Sequence, residues 1–329
     1  MQARFTQEAD FRQERDFGAK IGATFEFLGA HWRPLGKCLL YFVLPVSLVM
    51  GIGMGLIMNS MFNLMGRVQT NPRAMQDPSS VFGASYFSGM GLVMIGGMLA
   101  FVAVMSTVYS YVHLLLTAEP QAPPTPAQVW AVMKRRFGRI LLSFALLFGL
   151  YIAFAGLFVG LIAVLGDGGM AGLLTFLLFP VMVYLGVPLM LYFPVLLLEE
   201  GGVVAALRRC YVLVRGKWWS TLGLVVVAGM IQGMLTIVFA LPQYAVMFGK
   251  MLKIPVLGSD VVGMAAQCLY VAGAMFTYPV LLLALAFQYF NLVERKEGVG
   301  LRGLVDSLGA TPAPVAYSQT YRPDDDGEY

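Results

Sequence analysis

Charge is what this sequence has least of. Asp, Glu, Lys and Arg make up 12% of its 329 residues, against about 25% in soluble domains, which is too little polar surface to cover a water-soluble fold of this length. Histidine is limited to His31 and His113, and a lone histidine is more often a structural hydrogen-bonding group than a catalyst. The three cysteines, Cys38, Cys210 and Cys268, lack metal-like spacing; they read as small apolar filler. There is no HExxH, CxxC pair, GxSxG or phosphate-binding glycine loop. Hydrolysis and group transfer need convergent acids, bases, nucleophiles or metal ligands. No catalytic residue, metal or cofactor is therefore assigned, and the chain is expected not to be an enzyme.

What the sequence has instead is apolar length. Hydrophobic residues make up 58% of the chain, gathered into six runs at 38–65, 90–117, 140–165, 171–198, 220–248 and 261–293. None of the runs contains Asp, Glu, Lys or Arg. A helix needs roughly 20 apolar residues to cross a bilayer, so each run predicts a transmembrane helix with excess length to be taken up by tilt or kinks. The polar first 37 residues do not resemble a cleavable signal peptide, so the first span is expected to stay as an anchor.

The basic residues orient the spans. Of the Lys and Arg outside the runs, 18 fall on the side of the termini and long connectors, and 4 (Arg67, Arg73, Lys250 and Lys253) on the other. Positive loops resist translocation. The reading is a multi-pass protein of the plasma (inner) membrane with both termini cytoplasmic. Trp32, Trp130, Trp218 and Trp219 fall on that same side, where amphipathic rings suit the headgroup layer.

The chain also reads as three copies of one unit. Phe17, Ile21, Phe25 and Leu28 share a helical face ahead of the first pair of spans. Val129, Met133 and Phe137 do so ahead of the second, and Val203, Leu207, Tyr211 and Val214 ahead of the third. Each stretch predicts an amphipathic helix in the cytoplasmic interface. Trp32 to Gly51 is 19 residues, as is Phe137 to Gly156, and these glycines open Gly51-xxx-Gly55 and Gly156-xxx-Gly160. The third unit carries Gly229-xxx-Gly233 only 11 residues after Trp218. Small residues four apart let membrane helices approach closely, so these six glycines are candidate packing positions.

The expected fold is an all-α membrane protein. Its six transmembrane helices form three parallel repeats of interfacial helix plus hairpin, at 17–117, 126–198 and 202–293. A flexible N-terminus at 1–16, a short cytoplasmic segment at 294–309 and a disordered tail at 310–329 flank them. The outer loop "RVQTNPRAMQDPSS", residues 67–80, has turn formers and no apolar period and is expected to be mobile.

Two stretches, "RDFGAKIGATFEFLGAHWRPL" and "FNLVERKEGVGL", together with this thrice-repeated order, resemble bacterial six-helix membrane proteins related to the membrane domain of glycerophosphoryl diester phosphodiesterases. The resemblance spans roughly residues 11 to 305. It implies no phosphodiesterase activity, because the separate catalytic domain of such enzymes is absent.

Candidate contacts for lipid headgroups or a partner are Trp32, Arg33, Lys37, Lys134, Arg135, Arg136, Arg139, Arg208, Arg209, Lys217, Trp218 and Trp219. Glu119, Glu199, Glu200, Glu294 and Glu297 end second spans and are expected to pair with nearby arginines and lysines. Gln232, Gln267 and Gln288 lie inside spans, either as interhelical hydrogen bonds or as the lining of a polar path. Prolines cluster in "FPVMVYLGVPLMLYFP", residues 179–194, the best candidate for a non-ideal helix.

Two functional readings follow. One is an accessory or scaffold protein that organises lipid, chiefly anionic headgroups, or docks a cytoplasmic or membrane protein partner. The other is a transporter or lipid-handling protein with a site between the repeats. A membrane enzyme acting on lipids is a third, less supported class. No nucleic-acid partner is expected.

Overall fold

In a computed structural model, residues 5, 8–71, 83–117, 123–165 and 168–298 are described. Among them every regular element is a helix: α1 (Glu8–Phe11), α2 (Phe17–Phe42), α3 (Leu44–Thr70), α4 (Ala84–Thr117), α5 (Pro126–Leu165), α6 (Gly168–Leu189), α7 (Tyr192–Leu198), α8 (Val203–Val214), α9 (Trp218–Met251), α10 (Asp260–Thr277) and α11 (Pro279–Glu297). Six stretches are long and apolar enough to cross a membrane: Leu44–Thr70, Ala84–Thr117, Pro126–Leu161, Thr175–Leu198, Trp218–Met251 and Asp260–Glu297.

Local chemistry sets the ends of these helices. Asp16 caps α2 by accepting the Ala19 amide at 2.6 Å, satisfying one of the amides a helix start leaves free. Gly298 ends α11 in the left-handed region, at φ 59°, a conformation glycine adopts without steric cost. Proline divides what would otherwise be single long helices. Val43 separates α2 from α3 just ahead of Pro45, and Tyr278 separates α10 from α11 just ahead of Pro279. Both residues keep right-handed helical angles, so each junction is a kink rather than a stop. A third break, at Met190–Leu191, lies between Pro188 and Pro194 and divides the fourth span into α6 and α7.

Inside the membrane-spanning region α3 is held between α4 and α10, and glycines set the separations. A Cβ on Gly53 would lie 2.7 Å from Leu92 Cβ and 2.8 Å from the Gly89 carbonyl oxygen, and one on Gly96 2.9 Å from the Met50 amide nitrogen. On another side of α3, a Cβ on Gly51 would lie 2.7 Å from Cys268 Cα, and one on Gly55 3.2 Å from Met264 Cγ. Such distances allow backbone contact that no larger residue permits.

The main core lies at the basic end of the bundle. Helix α11 is buried along almost its whole length there. Its Phe287 and Phe290 join Phe5, Phe11, Phe27 and Tyr111 in linked ring contacts with centroids 5.5 to 6.4 Å apart. Phe101 of α4 joins the kinked elements. Its ring meets Phe144 of α5, Phe193 of α7 and Tyr278 between α10 and α11, at 6.0, 5.9 and 6.0 Å.

Near the N-terminus Phe11 is buried, and the Arg15 amide donates to Asn291 Oδ1 at 2.8 Å. Two expectations are corrected. The amphipathic stretch before the third span is no separate interfacial helix, because α5 runs unbroken from Pro126 to Leu165. That before the first span continues to Phe42. Only α8 is a separate short helix, since Gly216, at φ 84°, turns the chain from α8 into α9. Helix α3 takes in residues 67–70 of the 67–80 loop; the rest of that loop beyond residue 71, the 310–329 tail, most of 294–309 and Glu119 lie outside the described residues.

Candidate functional site: the basic end of the bundle

The twelve aromatic and basic residues singled out from the sequence divide into two groups. Trp32, Arg33, Lys37, Lys134, Arg135, Arg208, Lys217 and Trp219 are exposed, Trp219 at 79%. Arg136, Arg139, Arg209 and Trp218 are engaged inside the protein.

Trp218 repairs a defect in α6. Pro188 has no amide to donate to the Tyr184 carbonyl, and the Trp218 indole donates to that oxygen at 3.0 Å while stacking on the Tyr184 ring at 5.7 Å. Next to it, Tyr211 of α8 donates to the Leu185 carbonyl at 2.8 Å. The sequence "RGKWW" therefore clamps the kinked α6 against α8 and α9.

Arg209 joins two acids, with Nε 3.2 Å from Glu199 Oε1 and Nη2 2.5 Å from Glu297 Oε1. Tyr289 adds a hydrogen bond to Glu199 at 2.9 Å. These contacts tie α8 to the end of α7 and to α11. Arg139 closes the C-terminus of α7, where carbonyls lack helical partners. Its Nη2 donates to the carbonyls of Leu196 at 2.8 Å and Glu199 at 3.2 Å, and to that of Gly201.

Arg136 is only 9% exposed. Its Nη2 lies 2.9 Å from His113 Nε2. Arginine can only donate, so that histidine nitrogen accepts and His113 is neutral with its proton on Nδ1. Arg136 Nη1 is buried with no hydrogen-bond partner. His113, Val132, Arg135, Arg136, Arg139 and Glu200 line a cavity of about 350 Å³.

A second buried cation lies closer to α11. Lys20 Nζ donates to Gln288 Oε1 at 2.7 Å, and Gln288 Nε2 to Thr221 Oγ1 at 2.9 Å. Burial, reinforced by the nearby Arg295, pushes the Lys20 pKa down from its ordinary value. Nothing in the apolar spacing of α2 marked this lysine as interior.

The three glutamines do not meet. Gln288 belongs to the Lys20 network, whereas Gln232 bonds Thr236 and Thr277 between α9 and α10 at 3.0 and 3.2 Å. Gln267 Oε1 is buried without a partner. Gln267, Thr277 and Gln288 occupy successive levels along α10 and α11, about 15 Å apart at 1.5 Å per residue, so no single depth gathers them. Of the six candidate packing glycines, Gly51 and Gly55 lie against α10. A Cβ on Gly156, Gly160, Gly229 or Gly233 would meet no atom of another element within 4 Å among the described residues.

The hairpin of α5 and α6 stands apart from the other spans beyond its basic end. Phe148, Tyr151, Leu157, Val159, Phe176 and Phe179 are all exposed. Between α5 and the α2–α4 side lies a lateral cleft of about 1080 Å³, lined by Phe42, Val46, Leu99, Val102, Trp130 and Phe137 among others. Among the described residues no group of three His, Cys, Asp or Glu side chains could hold a metal ion. Comparison with protein-family models, curated proteins and solved structures finds no match.

Proposed function

We propose that the chain is a non-enzymatic accessory or scaffold protein of the plasma membrane, oriented with its basic end and both termini in the cytoplasm. At the basic end it engages anionic lipid, and along the exposed face of α5 and α6 it docks a membrane partner. The repeats enter this reading as a way of placing basic, aromatic helices three times at one membrane surface.

The observation that supports it most is the uneven packing. The basic end has a dense aromatic core, while α5 and α6 extend with Gly156 and Gly160 open and large apolar side chains uncovered. An open small-xxx-small face is what one membrane helix offers another. The scattered glutamines favour this reading over a transporter with a polar path. The lateral cleft favours a second reading, lipid handling, because its volume and apolar lining suit an acyl chain.

Native mass spectrometry of the full chain, released from its own membrane in lipid nanodiscs, tests these readings. A stoichiometric protein partner is expected, lost when Gly156 and Gly160 are replaced by Leu. Retention of one lipid class with no partner would overturn the scaffold reading in favour of lipid handling.

A further inference from the structure

Arg136 presents an unusual combination: a guanidinium almost fully withdrawn from solvent with no carboxylate paired to it among the described residues. Buried charges are ordinarily paired, and removing one guanidinium from water without a counter-charge is costly. Among the described residues its one side-chain partner is His113, a neutral acceptor. Beside it, Arg135 and Arg139 line the same cavity. Arg139 is fixed there by its three bonds to the end of α7. Among the described residues, three arginines and one carboxylate, that of Glu200, thus line about 350 Å³.

We propose that this cavity is a binding site for a phosphate group. Clustered guanidinium donors match the several oxygens of a phosphate better than a single carboxylate would. Glu200 opposes the anion and weakens the site.

Depth favours a phospholipid as the source. Arg136 precedes Ile140, the first residue of the uncharged run, by four residues, about 6 Å along the helix axis, which puts it at headgroup level. This inference rests on the lipid-engaging half of the proposed function and names the lipid chemistry it uses.

The test uses the full-length protein, delipidated in detergent. It is titrated separately with short-chain phosphatidic acid, phosphatidylcholine and inorganic phosphate, with bound lipid counted by native mass spectrometry. The chain has two histidines, so histidine-labelled wild type gives two imidazole signals by NMR, assigned with a His31→Asn variant. Phosphatidic acid is expected to shift the His113 signal and leave that of His31. Arg136→Gln is expected to weaken its binding about tenfold or more. Glu200→Gln is expected to strengthen it several-fold, and Arg208→Gln, outside the cavity, to leave it unchanged.

The gain from Glu200→Gln and the wild-type NMR shift decide the matter even if Arg136→Gln fails to fold. Inorganic phosphate shifting His113 while phosphatidic acid does not would keep the site and assign it to a soluble phosphate. Anionic lipid binding that is lowered by Arg208→Gln, with His113 unmoved by any ligand, would overturn the site and leave lipid engagement standing on the exposed basic residues. No preference for phosphatidic acid over phosphatidylcholine, with His113 unmoved, would overturn both.

Discussion

At the scale of single residues, the interior of the basic end depends on polar groups that satisfy one another. Lys20→Met leaves Gln288 Oε1 without its donor and is expected to destabilise by about 1–3 kcal/mol. Gln288→Leu strands a buried ammonium and should cost more, on the order of 3 kcal/mol. The double variant removes both needs, and Thr221 keeps its bond to the Lys217 carbonyl. It should therefore cost less than the two changes summed, by about 1 kcal/mol or more; additive losses in thermal denaturation would refute the coupling. Titration gives an independent check. Because burial lowers the folded-state pKa of Lys20 below 10.5, the unfolded chain binds a proton that the folded chain does not across the alkaline window ending near that value. Stability from this group therefore rises with pH there. Wild type should gain melting temperature relative to Lys20→Met as pH climbs through the window, and parallel curves would contradict it.

At the scale of elements, packing distinguishes glycines that look alike in sequence. Gly53→Leu drives a side chain into Leu92 and the Gly89 carbonyl and is expected to lower stability by about 1–3 kcal/mol. Gly160→Ala meets no atom of another element within 4 Å among the described residues and should be neutral or stabilising by up to about 1 kcal/mol through helix propensity. Melting temperatures of the purified variants compare the two directly. Gly51 and Gly160 sit in the same four-residue spacing, and spacing alone does not say which helix comes near. Gly53, Gly89 and Gly96 escaped notice, although Gly89 and Gly96 are seven apart and so share a helical face. Arg135 and Arg136 read as one basic run, yet neighbours about 100° apart on a helix meet different surroundings, so one is exposed and the other interior. From Pro279 to Phe287 helix α11 is apolar all round, and hydropathy does not distinguish a side facing lipid from one facing protein. The six spans were legible because length and hydropathy are local properties of the chain.

At the scale of the whole molecule, orientation is the property most open to direct test. Two of the native cysteines are quiet: Cys38 and Cys210 are buried, and burial pushes the Cys210 thiol up to about 12, so little reactive thiolate forms there at neutral pH. Cys268 is half-buried, so new cysteines at Arg208, at the basic end, and at Val256, at the other, are placed in a Cys268→Ala background. In intact cells stripped of their outer layers, Val256→Cys should react with a membrane-impermeant maleimide and Arg208→Cys only after permeabilisation. The reverse pattern would invert the topology and move the proposed partner and phosphate source to the other side.

Phe101 meets the ring next to each of two helix breaks. Pro194 and Pro279 cannot donate to the carbonyls four residues earlier, so the backbone bends there at less cost than in an unbroken helix. One ring on the unbroken α4 therefore holds the bends of the fourth and sixth spans at a single level of the bundle, and a change at that side chain reaches two spans at once.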